Sequence, residues 1–229
     1  MSSDAPNNPI AEERLDALLL TSLMSSRLCH DLVNPVGALS SGLDVLNDDD
    51  MDAEMRDEAL SLIHTSTSKA VALLKFARLA YGLAGGYEHD ISFEEAKELL
   101  HAVYASTKAT LDWQVGDPSA PKEEVKSILL VAHAASDCVP RGGDVVISGA
   151  GGDYLVTVTG KRLILNDGAP KALGGDTEEL TPKFAPLYVA GLLTRETGGG
   201  AQAVLSDDNI TFRIKFDRRE KPDTALTGS

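Results

Sequence analysis

The sequence predicts an α+β chain, an N-terminal antiparallel helical hairpin followed by a C-terminal α/β sandwich. Three observations carry that prediction. Apolar residues recur at spacings of three, four and seven from Leu15 to Leu46, and the same spacing resumes at Met55 and runs to about Leu83. From Tyr87 onward, helical stretches alternate with short runs of strand-forming residues.

The first helix is expected from near Ala11 to the Asn47-Asp48-Asp49-Asp50 cluster, which suits a turn and then caps the next helix. Leu15, Leu18, Leu19, Cys29, Leu32, Val36, Leu39, Leu43 and Leu46 form its predicted buried stripe. Pro35 lacks a backbone donor and crowds the carbonyl of Asp31, so the helix is expected to be interrupted and bent there. In the second helix Met55, Ala59, Leu62, Ile63, Ser66, Ala70, Leu73, Leu74, Ala77 and Ala80 keep the spacing until Gly85-Gly86 stops it. Two amphipathic helices cannot cover their own stripes. The hairpin, residues 11–86, is therefore expected to dimerise into a four-helix bundle.

In the second unit, residues 87–217, Phe93 to Tyr104 reads as a helix, Thr110 to Gln114 as a strand and Lys122 to Cys138 as a helix opened after Pro121. Strands are expected at Val145 to Ser148, Tyr154 to Thr159 and Arg162 to Leu165. A helix from Phe184 to Arg195, a Gly198-Gly199-Gly200 turn and strands at Gln202 to Leu205 and Asn209 to Phe216 complete a mainly antiparallel sheet with helices. The polar ends, residues 1–10 and 218–229, are expected to be flexible.

Composition narrows the function classes. The chain has 229 residues, of which 43% are hydrophobic and 24% charged, ordinary values for a soluble protein with a real core. A net charge of −14 argues against general nucleic-acid binding, which needs basic surface. No segment approaches the ~18 apolar residues of a membrane span, and the N-terminus has no leader pattern, so a cytoplasmic protein is expected. Cys29 and Cys138 lack metal-knuckle spacing and read as small core residues.

The chemistry concentrates between Arg27 and Leu39. His30, Asp31 and Asn34 fall within about one helical turn, with Pro35 next. His30 lies about 100° from Cys29, at the edge of the stripe, where one side of a ring packs and the other reaches water. Asn34 shares its face. Arg27 and Asp31 also suit a routine intrahelical ion pair, and Asn34 suits a residue that only settles the bend. If the turn centres near Asp50, Lys69 to Leu73 lie level with His30. His64, His89, His101 and His133 share no spacing and read as structural. The acidic run Asp48 to Asp52 lacks the twelve-residue calcium pattern with its distal glutamate and reads as a capped turn.

His30-Asp31-Leu32-Val33-Asn34-Pro35 resembles the H-box of sensor histidine kinases, and the hairpin resembles their dimerisation and phosphotransfer domain. Ile128 to Cys138, Pro140, Gly142-Gly143 and Val145-Val146-Ile147 resemble the helix, turn and strand of their ATP-binding (Bergerat) domain. That domain is degenerate here. Leu130 and Ala134 stand where the kinases place magnesium-binding asparagines, Gly160-Lys161-Arg162 replaces the Asp-x-Gly-x-Gly box, and Phe184-Ala185-Pro186-Leu187 replaces the glycine-rich lid. Metal ligands, the adenine-binding carboxylate and close backbone approach to phosphate are all lost.

The combination resembles the histidine phosphotransferase family of alphaproteobacterial cell-cycle phosphorelays. Ser41 to Leu46, Asp52 to Ile63, Leu74 to Arg78 and Thr110 to Gln114 add to the likeness, which covers about Leu18 to Phe216. The resemblance implies that His30 takes a phosphoryl group from a receiver-domain aspartate and passes it to a second receiver, without ATP. It makes Asp31 the residue that fixes the tautomer and Asn34 one that orients the incoming group. Arg27, Val33, Gly37, Lys69 and Leu73 become a receiver-contact patch, with Arg27 and Lys69 screening phosphate charge. Implied partners are a second copy of the chain, the receiver of a CckA-like hybrid histidine kinase, and CtrA-like and CpdR-like response regulators. Magnesium is then carried by the receiver, and this chain is expected to bind no cofactor or metal. Three other readings compete: an active kinase with an atypical ATP site, a metal-dependent HD-type phosphohydrolase built on His30-Asp31, and a docking scaffold.

Overall fold

The computed structural model describes residues 16–48, 50–82 and 90–218, in which a two-helix hairpin runs into an α/β sandwich. Helix α1 spans Ala17–Leu46 and α2 spans Ala53–Ala80. The Asp16 carboxylate accepts a hydrogen bond from the Leu18 amide at 3.1 Å, and Asp52 accepts one from the Met55 amide at 2.8 Å. Each satisfies an amide that the first helical turn leaves unpaired, at the positive end of the helix dipole. The anticipated start near Ala11, Leu15, Asp49, His89, the Gly85-Gly86 stop and the tails at 1–10 and 219–229 lie outside the described residues.

The interruption expected at Pro35 does not occur. Helix α1 continues through it as one element, with Pro35 and Gly42 its two buried residues, one heptad apart on the same face. One missing amide bond is a local loss that neighbouring turns and packing outweigh. Gly42 marks the close approach of the two helices: a Cβ there would lie 2.7 Å from Cγ1 of Ile63 and 3.3 Å from the Ala59 carbonyl. Counting antiparallel from that contact sets His30 level with about Leu73 and Asn34 level with about Lys69.

The stripe expected to be buried divides in two. Leu32, Leu39 and Leu46 are half-buried toward α2, whereas Leu18, Leu19, Val36, Leu43 and Cys29 are exposed. Cys29, Val36 and Leu43 ride a flank turned from α2. Helical spacing records that a stripe exists but not which surface covers it. On α2, Leu60, Leu62, Val71 and Leu74 are likewise uncovered in the single chain.

The second unit begins with β1 (Asp90–Ser92), α3 (Phe93–Tyr104), β2 (Ala109–Val115), β3 (Ser119–Pro121) and α4 (Lys122–Ser136). It continues with β4 (Gly143–Ala150), β5 (Asp153–Gly160), α5 (Gly168–Gly174), α6 (Ala185–Glu196), β6 (Gly200–Leu205) and β7 (Ile210–Lys215). The main sheet has the order β2-β4-β5-β7-β6, antiparallel except for the parallel β2–β4 pair, whose crossover carries α4; β1 and β3 pair separately. Alternation sends Val145, Ile147, Tyr154, Val156, Val158, Ile210, Phe212 and Ile214 into the core. Helix α4 is apolar almost all round and correspondingly enclosed, from Val125 to Ala135.

Arg162 to Leu165, expected to be a strand, is irregular; the Ile164 amide bonds the Cys138 carbonyl, and the chain proceeds into the unanticipated α5. Arg218, expected within a flexible tail, is held. Its Nε and Nη2 donate to Glu124 at 2.8 and 2.7 Å, and the Tyr154 hydroxyl donates to the same carboxylate at 2.7 Å. Glu124 is buried, and those three donors are what permit its charge there.

The hairpin and the sandwich share one core. Ala72, Leu73, Phe76, Leu79 and Ala80 of α2 belong to the apolar cluster that includes α3 and α4. The Lys126 ammonium donates to the Gly82 carbonyl at 2.5 Å where the chain leaves α2. The second unit therefore sits against the half of the hairpin that carries His30.

Candidate functional site

His30 projects from the middle of α1 with its side chain 79% exposed. Its Nδ1 faces Oδ1 of Asp31 at 3.5 Å, the long limit of a hydrogen bond. Nε2 has no partner among the described residues and faces solvent. Asp31 is largely covered, and its Oδ2 accepts from Nε of Arg27 at 2.8 Å. The sequence thus puts an accessible imidazole and a carboxylate side by side on one helix.

Arg27 is not the exposed cation expected from the sequence. Its side chain is only 11% exposed; Nη1 donates to the Lys183 carbonyl at 3.5 Å, and Nη2 lies 3.9 Å from Oδ2 of Asp137. Both partners come from the second unit, so Arg27 links the two units and does not stand ready to screen phosphate. Leu73, expected in the receiver-contact patch, is also corrected: it is buried in the shared core. The level is as anticipated, but the residue points inward. Asn34, Val33 and Gly37 are exposed beside or one to two turns beyond His30, and a Cβ at Gly37 would meet nothing within 4 Å. Lys69 is half-buried at about the level of Asn34, and Pro35, next to Asn34, is buried.

Under the Arg27–Asp31 pair lie Tyr81, Phe76 and His133, none of which sequence reasoning connected with the site. The Phe76 ring sits 4.7 Å from the His133 ring and edge-on to Tyr81 at 5.8 Å. Burial pushes the Tyr81 hydroxyl up to about 12, with Arg27 opposing and Asp31 adding to the rise. Burial, and then the Arg27 charge, lower the pKa of His133, against the opposing pull of Asp31 and Asp137. His133 is therefore neutral in the fold. These partners lie far apart in sequence, and a helical period carries no signal for them.

The lowered pKa of His133 has a consequence for stability. In the unfolded chain the residue titrates near its ordinary value of 6.5. Below that pH the unfolded state binds the proton and the fold does not, so this contribution is fully present above 6.5 and is lost as pH falls. The stability lost between pH 7.5 and 5.5, read from thermal melts, should be greater for the natural chain than for His133→Phe, by up to about 1.4 kcal/mol per pH unit below 6.5.

Next to the groups that Arg27 meets, Ala134, Asp137, Asn166, Lys183, Phe184 and Leu187 help to line a cavity of about 40 Å³. That is room for about one water, whereas small-molecule sites span roughly 300–1,000 Å³. Phe184 fills the space: a Cβ at Gly168 would lie 2.5 Å from its ring. Leu130 is fully buried nearby. Ala134, Phe184 and Leu187, which the sequence placed at degenerate nucleotide motifs, are thus brought to one place. Among the described residues no group of three or more His, Cys, Asp or Glu converges as a metal site, and no helix is long and apolar enough to cross a membrane.

Comparisons with known proteins bear on this geometry. Residues 93–209 match the family model described as the histidine phosphotransferase C-terminal domain. The protein phosphotransferase ChpT of Brucella abortus (strain 2308) is 31% identical over 209 residues, covering 86% of this chain and 96% of that protein. A solved structure of a bacterial phosphotransferase superposes with a TM-score of 0.77 at 28% identity, covering 88% of this chain and 98% of that one.

Proposed function

We propose, from the premise that the chain belongs to the ChpT-type histidine phosphotransferase family, that His30 relays a phosphoryl group between receiver-domain aspartates without ATP. The observation that carries this reading is the exposed imidazole whose Nδ1 is backed by Asp31 while Nε2 faces solvent. In the first step the Nε2 lone pair attacks phosphorus, the bond from phosphorus to the receiver's aspartyl oxygen breaks, and the carboxylate departs with that electron pair. His30 then holds a phosphoramidate. Asp31 accepts from Nδ1–H, keeping the lone pair on Nε2 and easing the positive charge that develops on the ring. Attack by the aspartate of a second receiver reverses the same bonds. The transition state is loose and nearly in-line, so positioning and charge neutralisation supply most of the catalysis.

Asn34, Val33, Gly37 and Lys69 form the surface beside the imidazole that a receiver would meet, with Lys69 the nearby cation and Asn34 the side chain able to orient the incoming group. Magnesium, where required, arrives on the receiver. A CckA-like hybrid kinase receiver as donor, CtrA-like and CpdR-like regulators as acceptors, and a cytoplasmic setting complete the proposal. A second copy of the chain would cover the uncovered flank of Leu18, Val36 and Leu43 and the uncovered leucines of α2, closing a four-helix bundle that displays two His30 rings.

The kinase reading requires a nucleotide site, and the 40 Å³ cavity plugged by Phe184 supports its absence. Incubation with γ-labelled ATP and magnesium should leave the protein unlabelled, while a phosphorylated hybrid-kinase receiver should label it within the same interval. Self-labelling from ATP would favour the kinase reading. The metal-hydrolase reading lacks converging ligands among the described residues.

A further inference from the structure

Granted that His30 carries the phosphoryl group, we propose that Arg27 is a positioning residue through which the α/β unit sets the tautomer of the His30 ring. An ordinary helix-surface pair at this spacing is exposed and screened by solvent. The Arg27–Asp31 pair is different in kind. Both side chains are largely covered, and the guanidinium reaches beyond its own helix to the Lys183 carbonyl and the Asp137 carboxylate. A guanidinium presents its donors in a fixed planar fork. With Nη1 and Nη2 directed at the second unit, Nε is left aimed at Asp31.

The consequence falls on the imidazole. Asp31 has two oxygens, and Arg27 engages Oδ2, which leaves Oδ1 turned toward Nδ1 of His30. An acceptor fixed in that place favours the Nδ1–H tautomer and keeps the lone pair on the outward Nε2. Without the guanidinium, the carboxylate is free to rotate about its own side-chain bonds, and the ring loses its oriented acceptor. Tyr81 and His133 lie beside the pair, and Lys126 ties the end of α2 to α4. The α/β unit thereby acts on the chemistry of the imidazole from a distance, through one side chain.

The test uses the full chain with ¹⁵N-labelled histidine at pH 8, where long-range proton–nitrogen correlations read the His30 tautomer. The His30 resonance is assigned by its loss in His30→Gln. Phosphoramidate serves as a small phosphodonor, which removes receiver docking from the measured rate. The natural chain should show the Nδ1–H form. Arg27→Met should shift the population toward Nε2–H and slow labelling about 10- to 100-fold, the scale of an outer-shell orienting group. Arg27→Lys should recover part of both, and Asp137→Asn should shift the tautomer in the same direction by less, at unchanged helical content. Should Arg27→Met fail to fold, Asp137→Asn and Arg27→Lys carry the test. A natural tautomer and rate in the folded variants would overturn the proposal. A shift in Arg27→Met with none in Asp137→Asn would overturn the link to the α/β unit. Absence of any label on His30 in the natural chain would overturn the phosphotransfer reading itself, an outcome distinct from a labelled ring with an unchanged tautomer.

Discussion

His30→Gln is expected to abolish phosphoryl acceptance, lowering transfer from a phosphorylated receiver by at least roughly 10³-fold, the scale on which loss of a nucleophile is felt. Glutamine keeps a polar side chain of similar reach but offers no ring lone pair to form a phosphoramidate. Because the ring is 79% exposed, the fold should hold. A stability change within about 0.5 kcal/mol is ordinary for such a surface position. Circular dichroism and thermal melting therefore separate the chemical loss from a structural one. In contrast, a docking scaffold would keep its activity in this variant. Measuring label on the protein and label passed to a second receiver, in one time course, distinguishes those accounts.

The largest stability effect is expected at Phe76. Its ring is 1% exposed, packs edge-on to Tyr81 and lies against His133, in the core that the hairpin shares with the α/β unit. Phe76→Ala removes that buried area and leaves a cavity between elements that cannot collapse freely, a loss of about 3–5 kcal/mol. At roughly 2–4 °C per kcal/mol for a chain of this size, the melting temperature should fall by about 10 °C. The site suffers with the fold, because Tyr81 and His133 underlie Arg27 and Asp31. Transfer should be impaired even where the variant remains folded. A change under 1 kcal/mol would mean that the two units do not share a core.

Much of this architecture was legible because local signals were strong. Phe93 to Tyr104 follows Ser92, whose hydroxyl accepts from the Glu94 amide, and the helix occupies the anticipated residues. Pro121 opens α4 as expected, and Gly198, at φ +85°, follows the end of α6. What spacing could not supply was the identity of the covering surface. Leu18, Val36 and Leu43 have helical periodicity and still face away from α2, while Arg27 and Asp31, polar by type, face inward. The β1–β3 pair, α5 and the irregular path at Arg162 to Leu165 depend on tertiary placement of three- to seven-residue segments, too short for a period to declare itself.

The site divides in the same way. His30, Asp31, Asn34 and Pro35 are neighbours on one helix, so sequence spacing alone brought them together. Asp137, Lys183, Tyr81 and His133 reach the same place from three other segments. Leu73 was placed at the correct level but on the wrong side: an antiparallel count gives height along a bundle, whereas azimuth depends on which α2 face meets α1 and α4.

The most direct test is to locate the phosphoryl group after transfer from a phosphorylated hybrid-kinase receiver, by mapping the modified residue in the intact protein and recording its acid lability. The account predicts acid-labile label on Nε2 of His30, lost in His30→Gln and discharged by a second receiver. Acid-stable label, label on another residue, or label acquired from ATP alone would contradict it.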